Sequence, residues 1–240
     1  MESDSTALSA APYDRIYSPI KDYSAEAGQV ATLIRRARPR CRTLLDVACG
    51  TAEHTRLLRD VHGFEVDGVD RDPAFVAIAR AKCPHGRFDV ADVVDFHLGR
   101  SYDVVLSLFG SIGYALTAPR LREALACVRD HLVPGGVAVV EPFATPDAFL
   151  PGAADSHTVE ADGRRVTRIH RAERDGQRCR LYVHDTIEGP DGTRHSTEVH
   201  ELGLFTIDEM LAAFSAVGLA VTYDPRAPIG HGIYVASALA

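Results

Sequence analysis

No stretch of this chain approaches the ~18 consecutive apolar residues of a membrane-spanning helix. Its start, MESDSTALSAAP, is acidic and polar, with neither the cationic opening nor the apolar run of a secretory leader, so none is expected. The five cysteines (Cys41, Cys49, Cys83, Cys127, Cys179) are scattered and include no C-x-x-C pair. That pattern suits reduced thiols in a cytoplasm and argues against a disulfide frame or a zinc site. The eleven histidines contain no H-x-x-x-H pair, and no metal is expected. A basic excess is missing too. A formal net charge of −7 gives little with which to neutralise phosphates, which argues against nucleic acid and anionic membrane as partners. The densest basic stretch, Arg35 to Arg42, reads as the solvated end of a helix. There are no internal repeats and no low-complexity tract.

What remains is an ordinary globular composition over 240 residues, 46% hydrophobic and 25% charged. It suits one α/β domain, or a core with one sizeable insertion. Apolar residues at 3–4 spacing predict a helix beginning at a Ser24 N-cap and stopped by Pro39. Short apolar runs then alternate with helical patterns: strands over 43–47, 64–69, 87–90, 102–109 and 137–140, with helices over 55–61, 74–81 and 120–132. Asp72-Pro73 is an N-cap followed by proline at the first helical position. This alternation predicts a parallel sheet covered on both faces.

After Pro142 the pattern changes. Strand-like segments near 158–172, 178–187 and 198–205 are set off by Asp162-Gly163, Asp175-Gly176 and Pro190-Asp191-Gly192, which are hairpin signals. We expect an antiparallel three-stranded insertion over 143–205 covering the active site. A helix over 207–217 and two strands near 219–223 and 233–238 follow. The expected division is a lid over 1–23, a ligand-binding domain over 24–142 and 206–240, and the insertion between.

The first strand runs into LLDVACGTAEHT, where small residues at Ala48, Gly50 and Ala52 let the backbone turn sharply and approach a ligand. Three acids stand at the carboxyl ends of three successive strands. Asp46 can meet a cationic group, Asp70 can hold two ribose hydroxyls, and Asp92 can accept from an adenine amino group. Ligands of open α/β sheets bind at that edge.

These residues resemble class I S-adenosylmethionine (SAM) dependent methyltransferases. LLDVACGTA is similar to their first motif, GVDRD to the next, VADVVDF to the adenine segment, and LVPGGVAVVEPF to the strand closing the set. The resemblance implies a Rossmann-like seven-stranded sheet and SAM as cofactor. The residues holding SAM would be Tyr23, Asp46, Ala48, Gly50, Thr51, Asp70, Arg71, Asp92, Val93 and Leu108. More narrowly, YDRIYSPIKDYSAEA, FGSIGYAL and GHGIYVAS resemble bacterial N-methyltransferases of nucleotide-linked amino sugars. Methyltransferases of other amino-sugar-bearing metabolites, such as the lincosamides, are the alternative. In that family N-terminal tyrosines help close the site, which falls here on Tyr13, Tyr17 and Tyr23. This chain departs from the pattern at Ala52 (the third loop glycine), at Tyr114 (the histidine of S-I-G-H), and at Gly230-His231-Gly232-Ile233 (G-R-G-L).

Methyl transfer from a sulfonium is an in-line displacement, so the protein mainly aligns a lone pair behind the methyl carbon. Orientation alone supplies on the order of 7–11 kcal/mol. A neutral amine needs no base before attack, because its proton leaves the product ammonium afterwards; a hydroxyl usually does. Tyr13, Tyr17, Tyr114 and Glu141 are the residues expected around the reacting atoms. The spacing commits no histidine–acid pair to a base role. His170, His184 and His200 therefore read as hydrogen-bonded strand residues, individually dispensable for the chemical step, as does Glu141. The expected activity is N-methylation of a small-molecule amine, with oligomeric state open. An O-methyltransferase is the rival within the class. A nicotinamide oxidoreductase would want the full G-x-G-x-x-G that the loop lacks. A binding module that had lost catalysis would have lost Asp46 or Asp70.

Overall fold

Strands β1 (Thr43–Val47) and β4 (Tyr102–Ser107) run parallel at the middle of a seven-stranded sheet. Both are covered from either side, which is why they read as nearly unbroken apolar runs. On one flank lie β2 (Glu65–Asp70) and β3 (Phe88–Val90), on the other β5 (Leu132–Val140), β11 (Ile233–Ala238) and β10 (Leu219–Asp224). The order is β10-β11-β5-β4-β1-β2-β3, with only β11 antiparallel to its neighbours. The chain leaves β1 for β2 and β3, then returns to β4 on the other side of β1. That reversal opens a crevice at the carboxyl ends of β1 and β4. The computed structural model describes residues 13–19, 21–152, 154–161, 163–227 and 230–238. Residues 1–12 and 20 of the expected lid lie outside them.

Alternate residues of the strands feed two core layers. Helices α1 (Tyr23–Ala37) and α2 (Glu53–Asp60) pack Val30, Ile34 and Leu58 against Leu44, Val104 and Leu106. On the opposite face α4 (Ala118–Asp130) and α5 (Ile207–Ala216) pack Leu121, Leu125 and Phe214 against Leu45, Val105 and Val140. Between them in the chain, α3 (Pro73–Lys82) sets Val76 and Ala79 on Phe88. Each such side chain, fully withdrawn from water, stabilises the fold by about 1.5–3 kcal/mol.

The caps are local. Asp72 accepts the Ala74 amide at 2.8 Å ahead of Pro73, as its sequence predicts. The first helix is capped by Asp22, whose carboxylate accepts from Ala25 N at 2.9 Å, and not by Ser24. Aspartate wins because it stands three residues before a free amide in the first turn.

The insertion has four strands, not three: β6 (Ala154–Ala161), β7 (Arg164–Asp175), β8 (Arg178–Gly189) and β9 (Gly192–Gly203), all antiparallel in that order. The segment expected over 158–172 is parts of two strands, the chain folding back so that Ala161 lies opposite Arg164. Three turns make four strands, and each carries a glycine with positive φ: Gly163, Gly176 and Gly192. One face of this sheet buries Val166, Cys179, Val183 and Leu202. Among the described residues all five cysteines are free, and no helix is long and apolar enough to cross a membrane.

Candidate active site

The turn from β1 into α2 is built from left-handed backbone. Ala48 (φ 60°), Gly50 (φ 55°) and Ala52 (φ 64°) all have positive φ within five residues. For the two alanines this costs about 1–2 kcal/mol each, strain that persists where a ligand site needs the shape. A Cβ on Gly50 would meet nothing within 4 Å, so the loop faces open space there. Asp70, at the tip of β2, accepts the Gly50 amide at 2.8 Å and the Asp72 amide at 2.9 Å. Burial raises its pKa, while those two amides pull it back.

Asp46, at the tip of β1, is only 3% exposed and accepts the Thr55 hydroxyl at 2.8 Å. Burial pushes its carboxyl up to about 6, against the opposing pull of His54 and Thr55. At the tip of β4 the Ser107 hydroxyl is fully buried and lacks a hydrogen-bond partner. Two carboxylates, an orphaned hydroxyl and a loop with room above it suit a ligand carrying hydroxyls and a positive charge. Thr51 is buried beside them, and Arg71 follows Asp70 directly. Asp92 stands past β3, but its carboxylate already accepts the Val94 amide at 3.1 Å. Val93 and Leu108 are buried in the two core layers.

The N-terminal segment crosses from this loop to the insertion. Asp14 takes the Thr51 hydroxyl and pairs with Lys82 Nζ at 2.6 Å. Ile16 is fully buried. Tyr13 packs on Tyr17 (ring centroids 4.6 Å apart) and on Phe75 (5.1 Å). Tyr17 meets Phe109 edge-on at 5.9 Å, and its hydroxyl bonds His170 Nε2 at 3.1 Å. Tyr23, at the start of α1, packs edge-on against His54 at 4.9 Å. Burial raises the pKa of all three phenols, so each stays a neutral hydroxyl.

The insertion supplies a polar roof. Arg168 and Asp185, each 3% exposed, form two 2.7 Å bonds across β7 and β8, with the guanidinium 5.4 Å from the Tyr17 ring centre. Farther along the same face, His200 Nδ1 bonds the Tyr114 hydroxyl at 3.0 Å, and His200 Nε2 lies 3.2 Å from Glu198. Tyr114 sits in a 3-10 turn (Ser111–Ala115) after β4, and the Arg71 guanidinium stacks 4.4 Å from its ring centre. His184 points to the other, exposed side and bonds Thr197.

Glu141, at the end of β5, is buried and accepts the Phe109 amide at 2.6 Å; burial raises its pKa. The Gly230 of the GHGI segment packs directly on it, since a Cβ there would fall 1.8 Å from Glu141 Oε1. Sequence reading missed Lys21 and Phe109. The Lys21 ammonium lies 3.4 Å from the Phe109 ring centre and 3.1 Å from Glu26. It also missed the pairing of His200 with Glu198, although their spacing of two on a strand puts both on one face. A third omission is Asp155, His157 and His170, whose possible metal-ligating atoms lie within 4.8 Å of one another. Both of those histidines already have protein partners, Asp155 and Tyr17.

This geometry can be set beside known proteins. Residues 44–136 match the family model described as a methyltransferase domain. The chain is 41% identical, over 89% of its length and 84% of the relative's, to dTDP-3-amino-3,6-dideoxy-alpha-D-glucopyranose N,N-dimethyltransferase of Streptomyces fradiae. It is 40% identical to dTDP-3-amino-3,4,6-trideoxy-alpha-D-glucopyranose N,N-dimethyltransferase of Streptomyces venezuelae, over 90% of this chain and 91% of that one. Among solved structures it superposes on Streptomyces venezuelae DesVI with a TM-score of 0.89 at 39% identity, covering 96% of this chain and 98% of that one. SAM-bound CalS10, an amino pentose methyltransferase of Micromonospora echinaspora, gives a TM-score of 0.82 at 35% identity, covering 96% and 95%. With this sheet order and full-length likeness, the chain belongs to the class I SAM-dependent methyltransferases, with SAM as its cofactor, and is related to the bacterial amino-sugar N,N-dimethyltransferases.

Proposed function

We propose that this enzyme transfers the methyl group of SAM to the amine of an amino sugar, or of an amino-sugar-bearing natural product, in antibiotic biosynthesis. The observation that carries the reading is the N-terminal segment fastened at both ends. Asp14 ties it to the β1–α2 loop and Tyr17 ties it to the insertion, so Tyr13 and Tyr17 are held over the crevice. The full-length relatives named above, both amino-sugar N,N-dimethyltransferases, support the choice of an amine. The five free thiols suit a reducing cytoplasm.

In this reading Asp46 faces the positive charge of SAM, while Ala48, Gly50 and Thr51 give its amino-acid part a close-fitting backbone. Asp70 takes the ribose hydroxyls with Arg71 beside it, Asp92 and Val93 take the adenine, and Leu108 and Tyr23 close the flanks. SAM supplies an electrophilic methyl. The acceptor lies beneath Tyr13, Tyr17 and Tyr114, with Glu141 at the crevice wall. Its neutral nitrogen attacks the methyl carbon in line with the breaking carbon–sulfur bond, whose electron pair stays on sulfur. Alignment in a site closed to water is the protein's main contribution.

A hydroxyl acceptor is the second reading, favoured by the Tyr114–His200–Glu198 chain, which could serve as a base. Incubation with methyl-labelled SAM decides between them. The acceptors are dTDP-3-amino-3,6-dideoxy-α-D-glucopyranose and a panel of amino-sugar glycosides, with mass spectrometry and NMR locating the label. Label on nitrogen is expected. Label on oxygen, or on no amino sugar of the panel, would overturn the proposal.

A further inference from the structure

An amino sugar reaches the crevice with its nitrogen protonated, and a protonated nitrogen has no lone pair for attack. An alkylamine titrating near 10, as the lysine ammonium does, is only about 0.1% free base at pH 7. Dimethylation meets the problem twice, because the singly methylated product is itself an ammonium. Simple alignment leaves both protons to chance encounter with water, in a crevice roofed by the insertion and strapped by the N-terminal segment.

One chain of groups leads outward from the crevice. The Tyr114 hydroxyl bonds His200 Nδ1 at 3.0 Å, and His200 Nε2 is 3.2 Å from Glu198 Oε2. His200 is a quarter exposed at its side chain, so the chain ends at solvent. Resting on the amine reading above, we propose that Tyr114, His200 and Glu198 form a proton relay that strips the acceptor ammonium before each methyl transfer. The ammonium N–H breaks and its proton goes to the Tyr114 oxygen, while the Tyr114 O–H proton passes to His200 Nδ1. The products are a neutral amine, a neutral tyrosine and an imidazolium held beside the Glu198 carboxylate. His200 then loses a proton to water, and the amine is free to attack. Tyr114 touches the acceptor and is the catalytic member; His200 and Glu198 act through it.

Burial pushes Tyr114 up to about 12, so a standing phenolate plays no part. The hydroxyl must give its proton to His200 as it takes one from the ammonium; the histidine–carboxylate pair behind it plays the proton-accepting part that the same pair plays behind a catalytic serine. The charged and titratable groups facing the chain are Arg71 on the Tyr114 ring, Asp70 at the tip of β2, and Tyr13 and Tyr17 from the N-terminal segment. The Arg168–Asp185 pair lies farther along the same face of the insertion. Arg71 disfavours a cation at the Tyr114 ring, which favours moving the acceptor's proton on toward Glu198.

The test compares wild type, Tyr114→Phe, His200→Asn and Glu198→Gln, with His184→Ala on the opposite face as control and thermal melting to check folding. The acceptor is dTDP-3-amino-3,6-dideoxy-α-D-glucopyranose, or the amine found in the panel above. Single-turnover rates at pH 7 and pH 9.5 are read together with the ratio of singly to doubly methylated product. The Tyr114 and His200 variants should lose at least about tenfold at pH 7 and recover toward wild type at pH 9.5, with the singly methylated product accumulating. Glu198→Gln should fall between them and wild type. Equal losses at both pH values, or an unchanged product ratio, would mean these residues only pack, and would overturn the relay while leaving N-methylation standing. A wild type that methylates no nitrogen would overturn both readings.

Discussion

At the carboxyl edge of the parallel sheet, polar groups are tied to the backbone beside them. Asp70 holds the Gly50 and Asp72 amides and the loop's shape lies in the φ angles of three small residues, while the side-chain tie of Thr55 to Asp46 spans only nine positions. In the insertion the ties run between side chains far apart in sequence. Arg168 bonds Asp185 across two strands, Tyr17 reaches His170, 153 positions away, and Tyr114 reaches His200, 86 away. A site half-built from backbone is rigid and tolerant of what surrounds it. A roof of side-chain pairs can be retuned one residue at a time, which suits a surface that must recognise an acceptor.

The largest effect should come from breaking the roof's buried ion pair. Asp185→Ala leaves the Arg168 guanidinium buried without its carboxylate, at an expected cost of about 3–5 kcal/mol. The pair lies in the insertion, so hydrogen exchange should show loosening of β7 and β8 while the parallel sheet stays protected. SAM affinity by calorimetry should hold within about twofold. Replacing both partners, Arg168→Met with Asp185→Leu, should cost far less, because no charge is stranded. A loss of SAM binding in the single variant would show that the two halves are not separable.

Their separate construction also explains what the sequence discloses. The parallel sheet was legible because its strands, its Asp72-Pro73 cap and its three strand-tip acids are local patterns a few residues long. Two local signals were still misplaced. Asp22, not Ser24, caps the first helix, and the run expected over 158–172 is parts of two strands, Ala154–Ala161 and Arg164–Asp175, and not one. The roof was legible only as hairpins. Nothing near Tyr114 names His200, and nothing near Tyr17 names His170, because register between strands is set by the whole sheet. The pairing of His200 with Glu198 is local, two residues apart on one strand, but only the register that brings Tyr114 to His200 joins that pair to the crevice.

Titration sharpens the comparison on the backbone-built side. Burial holds the Asp46 carboxyl at about 6, above its usual 3.8. A group raised in the folded state stabilises the fold when protonated. That contribution, on the order of 3 kcal/mol, is full below about pH 4 and is lost as pH rises through 6. The free enzyme should therefore gain from mild acidification on this account. SAM affinity should move the other way, because its cation prefers the carboxylate. It should be level above pH 7 and fall by up to tenfold for each pH unit below 6. Calorimetry across pH 4.5–8 checks this, with Asp46→Asn expected to bind weakly and without that slope. A slope that survived in the variant would assign it to another group.

The smallest effect is expected where the two regions meet. Tyr17→Phe removes the hydroxyl's bonds to His170 and to Arg168, and leaves the ring on Tyr13 and Phe109. A single hydrogen bond of this kind is worth about 0.5–1.5 kcal/mol, so the change should raise the acceptor KM by roughly twofold to tenfold. SAM affinity should stay the same, because the other end of the segment is fastened by Asp14 to Thr51 and Lys82, which the substitution does not touch. His170→Gln should cost no more than Tyr17→Phe, and the double variant should add little to Tyr17→Phe, since the bond to His170 is already gone there. If SAM affinity fell in place of acceptor affinity, Tyr17 would belong to the cofactor edge. The N-terminal segment would then be part of the sheet's own binding surface and not a strap between two separately built halves.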